Sequence, residues 1–459
     1  MVFSSSVFLF IFLPVLLLLY FIAGKKAKNL VLLFASLFFY AWSEPRNIIV
    51  MLFSIAINYF LAILMEKSMS RRKLYFLLAV FYNIGILFIF KYLNFTVDTV
   101  NRLLEHPIAL RRVALPIGIS FYTFQMMSYV IDVYRGNVKA QKNILSLGLY
   151  ISLFPQLIAG PIVRYIDIEG QLACRTSSWE NMHDGICRFA IGFSKKILLA
   201  DQLSVFVHLA FAGQYPSIIT NWAGIVGYTL QIYFDFSGYS DMAIGLGKMF
   251  GFSFPENFNY PYISKSIQEF WRRWHITLGS WFRDYLYIPL GGSRQGKLKT
   301  YINISIVFLL TGLWHGASFN FILWGGYYAL FLIAERMGLG KLLEKLPAFA
   351  RHIYAILAIM FGWVFFRSST WTEAIRYLHG MFSLSGNDVA HFNYIMNGKY
   401  WFCMAAGIFL SLPHKNITTL IQKSSAGRAL ADISILAVFY IAICYMIGSG
   451  YSPFLYFRF

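Results

Sequence analysis

Long apolar runs recur along most of the chain, and most of the segments between them are short. A transmembrane α-helix needs about 20 consecutive apolar residues, so this feature limits the possible folds more than any other. No Gly/Ser linker or soluble block interrupts the series, which predicts a single membrane domain over residues 1–459. The runs lie at about 5–23, 29–42, 47–65, 74–93, 114–131, 144–163, 219–235, 300–318, 320–335, 350–366, 400–412 and 429–448.

Several of these runs are too short to cross a bilayer as a straight helix. Such segments must tilt, enter the membrane without crossing it, or pack inside a bundle. We therefore expect an all-α polytopic membrane protein with about eleven tilted spans and additional re-entrant and amphipathic helices. Residues 264–290 are predicted to form one amphipathic helix, because aromatic residues recur there every three or four positions.

The composition supports this assignment and excludes several other classes of protein. Apolar residues make up 58% and charged residues 13% of the chain, against ~45–50% and ~25% in soluble domains. These values exclude a disordered chain, a coiled coil and an ordinary soluble enzyme. The formal charge is +19, but the basic residues cluster in short loops beside apolar runs, which indicates contact with anionic membrane lipid and not with nucleic acid.

The loop charges also predict an orientation in the membrane. Residues 1–23 contain no basic residue, whereas Lys25, Lys26 and Lys28 follow the first apolar run, which is the reverse of a cleavable signal peptide. The next loop has only Arg46, and the loop after it, at 66–73, is rich in Lys and Arg. Since basic residues concentrate on the cytoplasmic side, we expect an uncleaved protein of the cytoplasmic membrane with its N-terminus outside.

Several common catalytic and metal-binding patterns are missing from the sequence. The four cysteines form no CxxC pair, and there is no HExxH, GxSxG, P-loop or dinucleotide-binding GxGxxG motif. We therefore expect no metal site and no bound cofactor. The signatures of a metalloprotease, an α/β-hydrolase and a nucleotide-driven pump are all lacking.

His315 lies in an unusual place for an ionisable residue. It belongs to the sequence GLWHGASFN, which interrupts an apolar region, so its imidazole should lie in or near the membrane beside a break between two helices. Gly312 and Gly316, four residues apart, predict the close approach of a neighbouring helix. The imidazole could act as a general base at neutral pH, or it could bond a backbone carbonyl and hold two helices together. The residue types leave both roles open.

A second polar group lies within the amphipathic segment, in the sequence QEFWRRWH. Arg272 and Arg273, close to His275, could bind the phosphates of an anionic donor. The alternative is a pair of interfacial arginines, with an i,i+4 ion pair between Glu269 and Arg273. We expect residues 256–292 to form the polar wall of a cavity and not a lipid-exposed span, because these arginines and His275, together with Arg283, are costly in hydrocarbon.

Two carboxylates, Asp235 and Asp241, stand at the end of the apolar run at 219–235. They could position a substrate or a partner. Alternatively, Ser240 or Asp241 could be the N-cap of a helix over residues 242–250, because Ser and Asp are preferred N-caps. The residue types favour the N-cap.

Three long motifs resemble those of membrane-bound O-acyltransferases, and most closely those of the bacterial branch that contains the membrane subunit of alginate O-acetylation. They are YFDFSGYSDMAIG (233–245), ENFNYPYISKSIQEFWRRWHITLGSWFRDYLYIPLGG (256–292) and GLWHGASFNFILWGG (312–326). Residues 115–136, residues 156–165 and the C-terminal SPFLYFRF also fit. The resemblance extends over almost the whole chain.

The resemblance implies roles for both histidines. In this family the histidine of W-H-G, here His315, is taken as catalytic, and that of R-R-W-H, here His275, as needed for activity. His315 would take the proton of an attacking hydroxyl, and the oxyanion that forms would need a hydrogen-bond donor, for which Trp314 and Asn320 are candidates. The family fold is a ring of tilted helices around a thin central region, with a funnel or tunnel that reaches the histidine.

The resemblance implies the transfer of an acyl group, with acetyl as the first candidate. The donor is a cytosolic thioester such as acetyl-CoA, and the acceptor is a hydroxyl outside the cytoplasmic membrane. In related systems that hydroxyl belongs to a secreted or membrane-anchored SGNH-type partner, which modifies a cell-surface or secreted polysaccharide. Two alternatives stay open. One is a D-alanyl transferase of the same family, fed by a carrier protein and serving teichoic acid. The other is a transporter in which His315 relays protons.

Overall fold

The computed structural model describes residues 1–212, 217–383, 392–393, 395–414, 424–449 and 454. Among these residues the secondary structure is helical, apart from one isolated antiparallel bridge between Phe258 and Trp274. The all-α prediction is therefore confirmed. Of the C-terminal SPFLYFRF, only Phe454 belongs to the described residues.

The α-helices are numbered in chain order, and short π-helical or 3₁₀ segments follow or precede several of them. They are α1 (Leu13–Ile22), α2 (Lys28–Ser43), α3 (Ile48–Lys67), α4 (Arg72–Leu87), α5 (Leu93–Asn101), α6 (Ile119–Arg135), α7 (Ile144–Ser152), α8 (Phe154–Leu157), α9 (Tyr165–Ala173), α10 (Trp179–Ser194), α11 (Asp201–Phe211), α12 (Ile218–Met249), α13 (Ile267–Arg273), α14 (Ile276–Phe282), α15 (Lys297–His315), α16 (Phe319–Ala334), α17 (Gly340–Glu344), α18 (Ala348–Arg367), α19 (Trp371–Gly380), α20 (Gly398–Leu410) and α21 (Ser425–Ser449). The π-helical segments are Phe8–Phe12, Phe88–Tyr92, Lys195–Ala200, Arg283–Tyr287 and Glu335–Leu339, and the 3₁₀ turn is Pro261–Ile263.

The chain divides into two compact units. Unit 1 consists of residues 1–189 and 242–255, and unit 2 consists of residues 190–241 and 256–459. Every candidate site residue named above belongs to unit 2. The single membrane domain over 1–459 stays a prediction.

Four of the described helical segments are long and apolar enough to cross a membrane, and two further apolar helices are shorter. The four are Ile48–Lys67, Arg72–Asn101, Ala348–Arg367 and Ser425–Gly448, and the shorter two are Phe8–Ile22 and Lys28–Ser43. The apolar run at 144–163 is not one continuous helix, because α7 ends at Ser152 and only the single turn of α8 follows. The count of about eleven spans stays a prediction.

In unit 1, buried amides hold two apolar helices together. Asn58 of α3 and Asn83 of α4 exchange two side-chain hydrogen bonds, of 3.2 and 2.7 Å, and both residues are buried. In hydrocarbon an unpaired amide is costly, so such a reciprocal pair fixes how the two helices face each other.

In unit 2, α15 and α16 pack so closely that their backbones touch. A Cβ atom at Gly312 would lie 2.1 Å from the carbonyl oxygen of Phe321, and one at Gly325 would lie 2.2 Å from that of Phe308. Only glycine fits at such a contact, which is how small residues bring membrane helices together. The predicted close approach of a helix at Gly312 is confirmed, and that helix is α16.

Candidate active site

His275 lies at a break between two short helices, so the prediction of one amphipathic helix over 264–290 is wrong. Helix α13 ends at Arg273 and α14 begins at Ile276. His275 between them has φ 46° and ψ 52°, a left-handed conformation that is uncommon for residues other than glycine. Residues held in such conformations cost free energy and concentrate at functional sites.

One local contact and one from a distant residue of unit 2 fix where α13 begins. The hydroxyl of Ser266 accepts a hydrogen bond from the backbone N–H of Glu269, as an N-cap residue does. The carboxylate of Glu335, which is largely buried, accepts from the N–H groups of Ile267 and Gln268 at 2.7 and 3.0 Å. The start of α13 is therefore anchored twice, and this places the residues that follow it.

The His275 imidazole is buried, with only 2% of the residue exposed. Its Nδ1 lies 3.1 Å from the side-chain oxygen of Asn257. The ring of Phe236 packs edge-on against it, with centroids 4.7 Å apart, and the ring of Trp314 lies at 5.9 Å. Burial disfavours the imidazolium and lowers the pKa of His275 to about 3, so this ring is neutral at physiological pH.

His275 forms part of the lining of a cavity of about 470 Å³. Three arginines, Arg272, Arg283 and Arg336, share this lining, together with Gln268 and apolar side chains of α14 and α15. One cavity thus combines a neutral imidazole with positive charge. This arrangement suits an anionic ligand whose uncharged end reaches the histidine.

The structure separates the two neighbouring arginines that the sequence suggested as a pair. Arg272 lines the cavity, whereas Arg273 bonds the carboxylate of Glu269 at 2.9–3.0 Å and the carbonyl of Asn259 at 3.1 Å. The i,i+4 ion pair is thus confirmed. The expected polar wall is found for Arg272, Arg283 and His275, but Arg273 does not belong to the lining of this cavity.

His315 is the last residue of α15, where the sequence predicted a break between helices. Gly316 has extended backbone, and Ser318 caps the start of α16, so the break is confirmed. The imidazole is buried, with 3% of the residue exposed, among the rings of Trp324 and Phe366 at centroid distances of 5.1 and 5.3 Å. Among the described residues, the lining of the arginine-bearing cavity includes His275 but not His315.

The two suggested oxyanion donors lie in different environments. The Trp314 ring adjoins both histidines, with centroids 5.9 Å from His275 and 5.1 Å from His315. The amide nitrogen of Asn320 donates to the carbonyls of Phe365 and Ser368 at 2.5 and 2.7 Å. Asn320 therefore holds the end of α18, and its N–H groups are already engaged in hydrogen bonds.

Asp235 and Asp241 lie inside the continuous helix α12, so the prediction of an N-cap at Ser240 or Asp241 is wrong. The helix continues through this polar stretch because lysines neutralise both carboxylates. Lys196 Nζ lies 2.6 Å from a carboxylate oxygen of Asp235, and Lys195 Nζ lies 2.6 Å from one of Asp241. These contacts indicate a structural role, since buried carboxylates need a partner.

No sequence pattern predicts a role for Lys195, Lys196, Asn257 or Arg336. Asn257 is distant in sequence from His275, and Arg336 is distant in sequence from the other two arginines of the cavity. No local spacing therefore predicts their roles. The one available signal for Asn257 was its place in the long motif at 256–292.

Comparison with known proteins agrees with the motifs. Residues 138–369 match the membrane-bound O-acyltransferase family. A probable alginate O-acetylase of Pseudomonas putida is 40% identical over 100% of both chains. A peptidoglycan O-acetyltransferase of Helicobacter pylori is 33% identical over 100% of this chain and 98% of its own. A teichoic acid D-alanyltransferase of Bacillus subtilis is 31% identical over 47% of this chain and 58% of its own.

Proposed function

The chain belongs to the membrane-bound O-acyltransferase family, and from that premise we propose that it carries an acyl group across the cytoplasmic membrane. The donor is a cytosolic thioester, with acetyl-CoA as the first candidate. The acceptor is a hydroxyl outside, and the product is an O-acetylated cell-surface or secreted polysaccharide. Relatives of similar length are named for acetyl transfer in alginate and peptidoglycan, which supports acetyl as the group transferred.

The observation that carries this proposal is the cavity that combines His275 with three arginines. Arginine binds phosphate through two parallel hydrogen bonds and keeps its charge at any physiological pH. We assign Arg272, Arg283 and Arg336 to the phosphates of the donor. The neutral His275 then lies towards the uncharged, thioester-bearing arm.

In the reaction, the oxygen of the acceptor hydroxyl attacks the carbonyl carbon of the thioester. His315 takes the proton of this hydroxyl as the new C–O bond forms. The C–S bond then breaks, and the sulfur leaves as a thiolate that takes up the proton. Negative charge builds on the carbonyl oxygen before this step and needs a hydrogen-bond donor. The indole of Trp314, which adjoins both histidines, is the better candidate, because Asn320 already holds α18.

The architecture expected from the resemblance supports transfer within the membrane. CoA carries several charges and does not cross a bilayer, whereas an acyl group is small and neutral. A ring of about eleven tilted helices around a thinned centre would leave a tunnel through which the donor arm and the acceptor hydroxyl meet. In this arrangement the N-terminus lies outside, as the loop charges predict.

The acceptor hydroxyl belongs to a secreted or membrane-anchored SGNH-type partner, which passes the acetyl group on to the polysaccharide. This part of the proposal rests on the resemblance to systems in which the membrane enzyme and the polysaccharide-modifying enzyme are separate proteins. The proposal includes no metal ion and no resident cofactor.

The second candidate function is D-alanyl transfer from a carrier protein to teichoic acid. The match to the teichoic acid D-alanyltransferase of Bacillus subtilis, over about half of this chain, is the observation that favours it. The acetyl-transferring relatives match the whole chain, which favours acetyl. The transporter considered on sequence grounds is set aside, because the chain is a membrane O-acyltransferase.

The test uses the purified full chain in lipid nanodiscs. It is incubated with acetyl-CoA labelled in the acetyl group and with an SGNH-type acceptor protein, and label on the acceptor is measured. A parallel reaction supplies a D-alanyl-loaded carrier protein. We expect label on the acceptor with acetyl-CoA, and roughly 10²–10⁴-fold slower labelling with the variant His315→Gln. Transfer only from the carrier would establish the second candidate, and transfer from neither donor would refute the proposal.

A further inference from the structure

Asn257 is fully buried, and its side chain and backbone together hold the residues that surround the helix break. Its side-chain oxygen accepts hydrogen bonds from the hydroxyl of Thr277 at 2.9 Å and from the backbone N–H of Thr277 at 3.3 Å. Its backbone carbonyl accepts from the N–H of Ile276 at 3.0 Å. Three bonds therefore join Asn257 to the first turn of α14, directly after His275.

The bond from the backbone N–H of Thr277 determines which end of the Asn257 amide is the oxygen. A backbone N–H can only donate, so the atom that faces it must be the acceptor. The same oxygen lies 3.1 Å from Nδ1 of His275. Since an oxygen cannot donate, His275 must carry a hydrogen on Nδ1. A neutral imidazole has one N–H, so its Nε2 holds a lone pair and can only accept.

The other end of the amide fixes Asn257 itself. Its nitrogen donates to the hydroxyl of Ser240, a buried residue of α12, at 3.1 Å. The next residues bond back to the chain before His275: Phe258 forms the bridge with Trp274, and the N–H of Asn259 donates to the carbonyl of Arg273 at 3.0 Å. Contacts on both sides of His275 thus hold it in its left-handed conformation.

We propose that Asn257 is a positioning residue that presents Nε2 of His275 to the donor as a hydrogen-bond acceptor. This inference rests on the proposed function. The cavity that His275 lines also holds the arginines assigned to the donor phosphates. The arm between phosphate and thioester in CoA contains two amides. Nε2 of His275 can accept a hydrogen bond from the N–H group of either amide. No covalent bond changes in this contact, which places the thioester for attack by the hydroxyl.

The proposal predicts a specific split in kinetics. Asn257→Leu removes the acceptor with little change in volume, so His275 can carry its hydrogen on Nε2 and no longer accept. We expect KM for acetyl-CoA to rise roughly tenfold, as for one lost hydrogen bond, with kcat nearly unchanged. A rise in KM alone is the mark of lost substrate binding. A kcat loss with unchanged KM would overturn the proposal.

Asn257→Asp distinguishes the proposed positioning role from a purely structural role. It keeps an oxygen next to Nδ1, so KM at pH 8 should stay near the wild-type value. Its carboxylate stabilises the imidazolium and raises the pKa of His275 from about 3 towards the ordinary range. As the pH falls from 8 to 5.5, His275 gains a hydrogen on Nε2, and KM should rise in Asn257→Asp relative to the wild type. An identical pH dependence in both proteins would overturn the proposal.

Asn303→Leu is the matched control for stability. Asn303 is a fully buried asparagine of α15 whose amide nitrogen donates to the carbonyls of Leu290 and Gly292 at 3.2 and 2.9 Å. Its loss should lower the unfolding temperature as Asn257→Leu does, without raising KM. If Asn257→Leu does not fold, the pH dependence of Asn257→Asp decides. A wild type without acyl transfer overturns the proposed function and this inference with it, whereas an active wild type with an unchanged KM in Asn257→Leu overturns the inference alone.

Discussion

The contact between α15 and α16 predicts that one added methyl group will disable the enzyme. An alanine Cβ at Gly312 would lie 2.1 Å from the carbonyl oxygen of Phe321, about 1.3 Å short of the 3.4 Å at which ordinary contact begins. The clash is with backbone, so no side chain can turn away to relieve it. The two helices must separate by about 1 Å, and such overpacking costs roughly 1–3 kcal/mol of folding free energy.

The same shift should reduce activity, because His315 follows Gly312 by one helical turn. Misplacing a reacting group by about 1 Å can cost roughly 10²-fold in rate. We therefore expect Gly312→Ala to insert into the membrane, to unfold at a lower temperature than the wild type, and to transfer acetyl groups about 10² times more slowly. Gly325→Ala, whose Cβ would lie 2.2 Å from the carbonyl oxygen of Phe308, should have a similar effect.

Gly326→Ala is the control for this prediction. It lies next to Gly325 on the same helix, but the nearest atom to its added Cβ is the Leu309 methyl at 3.8 Å, an ordinary contact. Thermal unfolding in nanodiscs, followed by tryptophan fluorescence, and acetyl transfer to an SGNH-type acceptor are measured for all three variants. Wild-type unfolding temperature and rate in Gly312→Ala would refute the reasoning, and equal losses in Gly326→Ala would show that the close approach is not the cause.

Three further predictions concern the histidine, the orientation and the arginines. His315→Gln keeps a hydrogen-bonding group but no base, so acetyl transfer should fall roughly 10²–10⁴-fold in a normally folded protein, and near-wild-type transfer would contradict the base role. In a chain without its native cysteines, Arg46→Cys should react with an impermeant thiol reagent in intact cells and Arg71→Cys only after lysis, and the reverse pattern would invert the topology. Arg272→Gln should raise KM for acetyl-CoA, more strongly at low salt, whereas Arg273→Gln should lower stability by only about 0.2–1 kcal/mol; equal KM values for both would exclude the phosphate site.

The sequence was sufficient where the controlling interaction is local. The helix break at His315 and the ion pair between Glu269 and Arg273 depend on residues within a few positions of one another, and the close approach at Gly312 joins two helices that follow each other directly in the chain. Such neighbours meet on one helix or at one helix end whatever the rest of the fold does. These features could therefore be predicted and are confirmed.

The sequence was not sufficient where a distant partner decides the outcome. Ser240 and Asp241 stand just after an apolar run and are preferred N-cap residue types, so a helix start was predicted there. An uncompensated carboxylate inside an apolar helix would also be costly. Lys195 and Lys196, which remove this cost, precede the two aspartates by about 40 residues. No sequence pattern connects their segment with α12. An N-cap was the reasonable local prediction, and long-range charge pairing made it wrong.

The break at His275 shows the same limit with a consequence for function. The aromatic residues at 264–290 keep a helical period on both sides of His275, so no local signal interrupts the helix there. The interruption comes from Asn257, whose bonds to Ile276 and Thr277 start a new helix and leave His275 in the left-handed region. Those same bonds determine the hydrogen on Nδ1. The backbone conformation of the histidine and the chemistry of its ring are therefore set together, by one residue eighteen positions earlier in the chain.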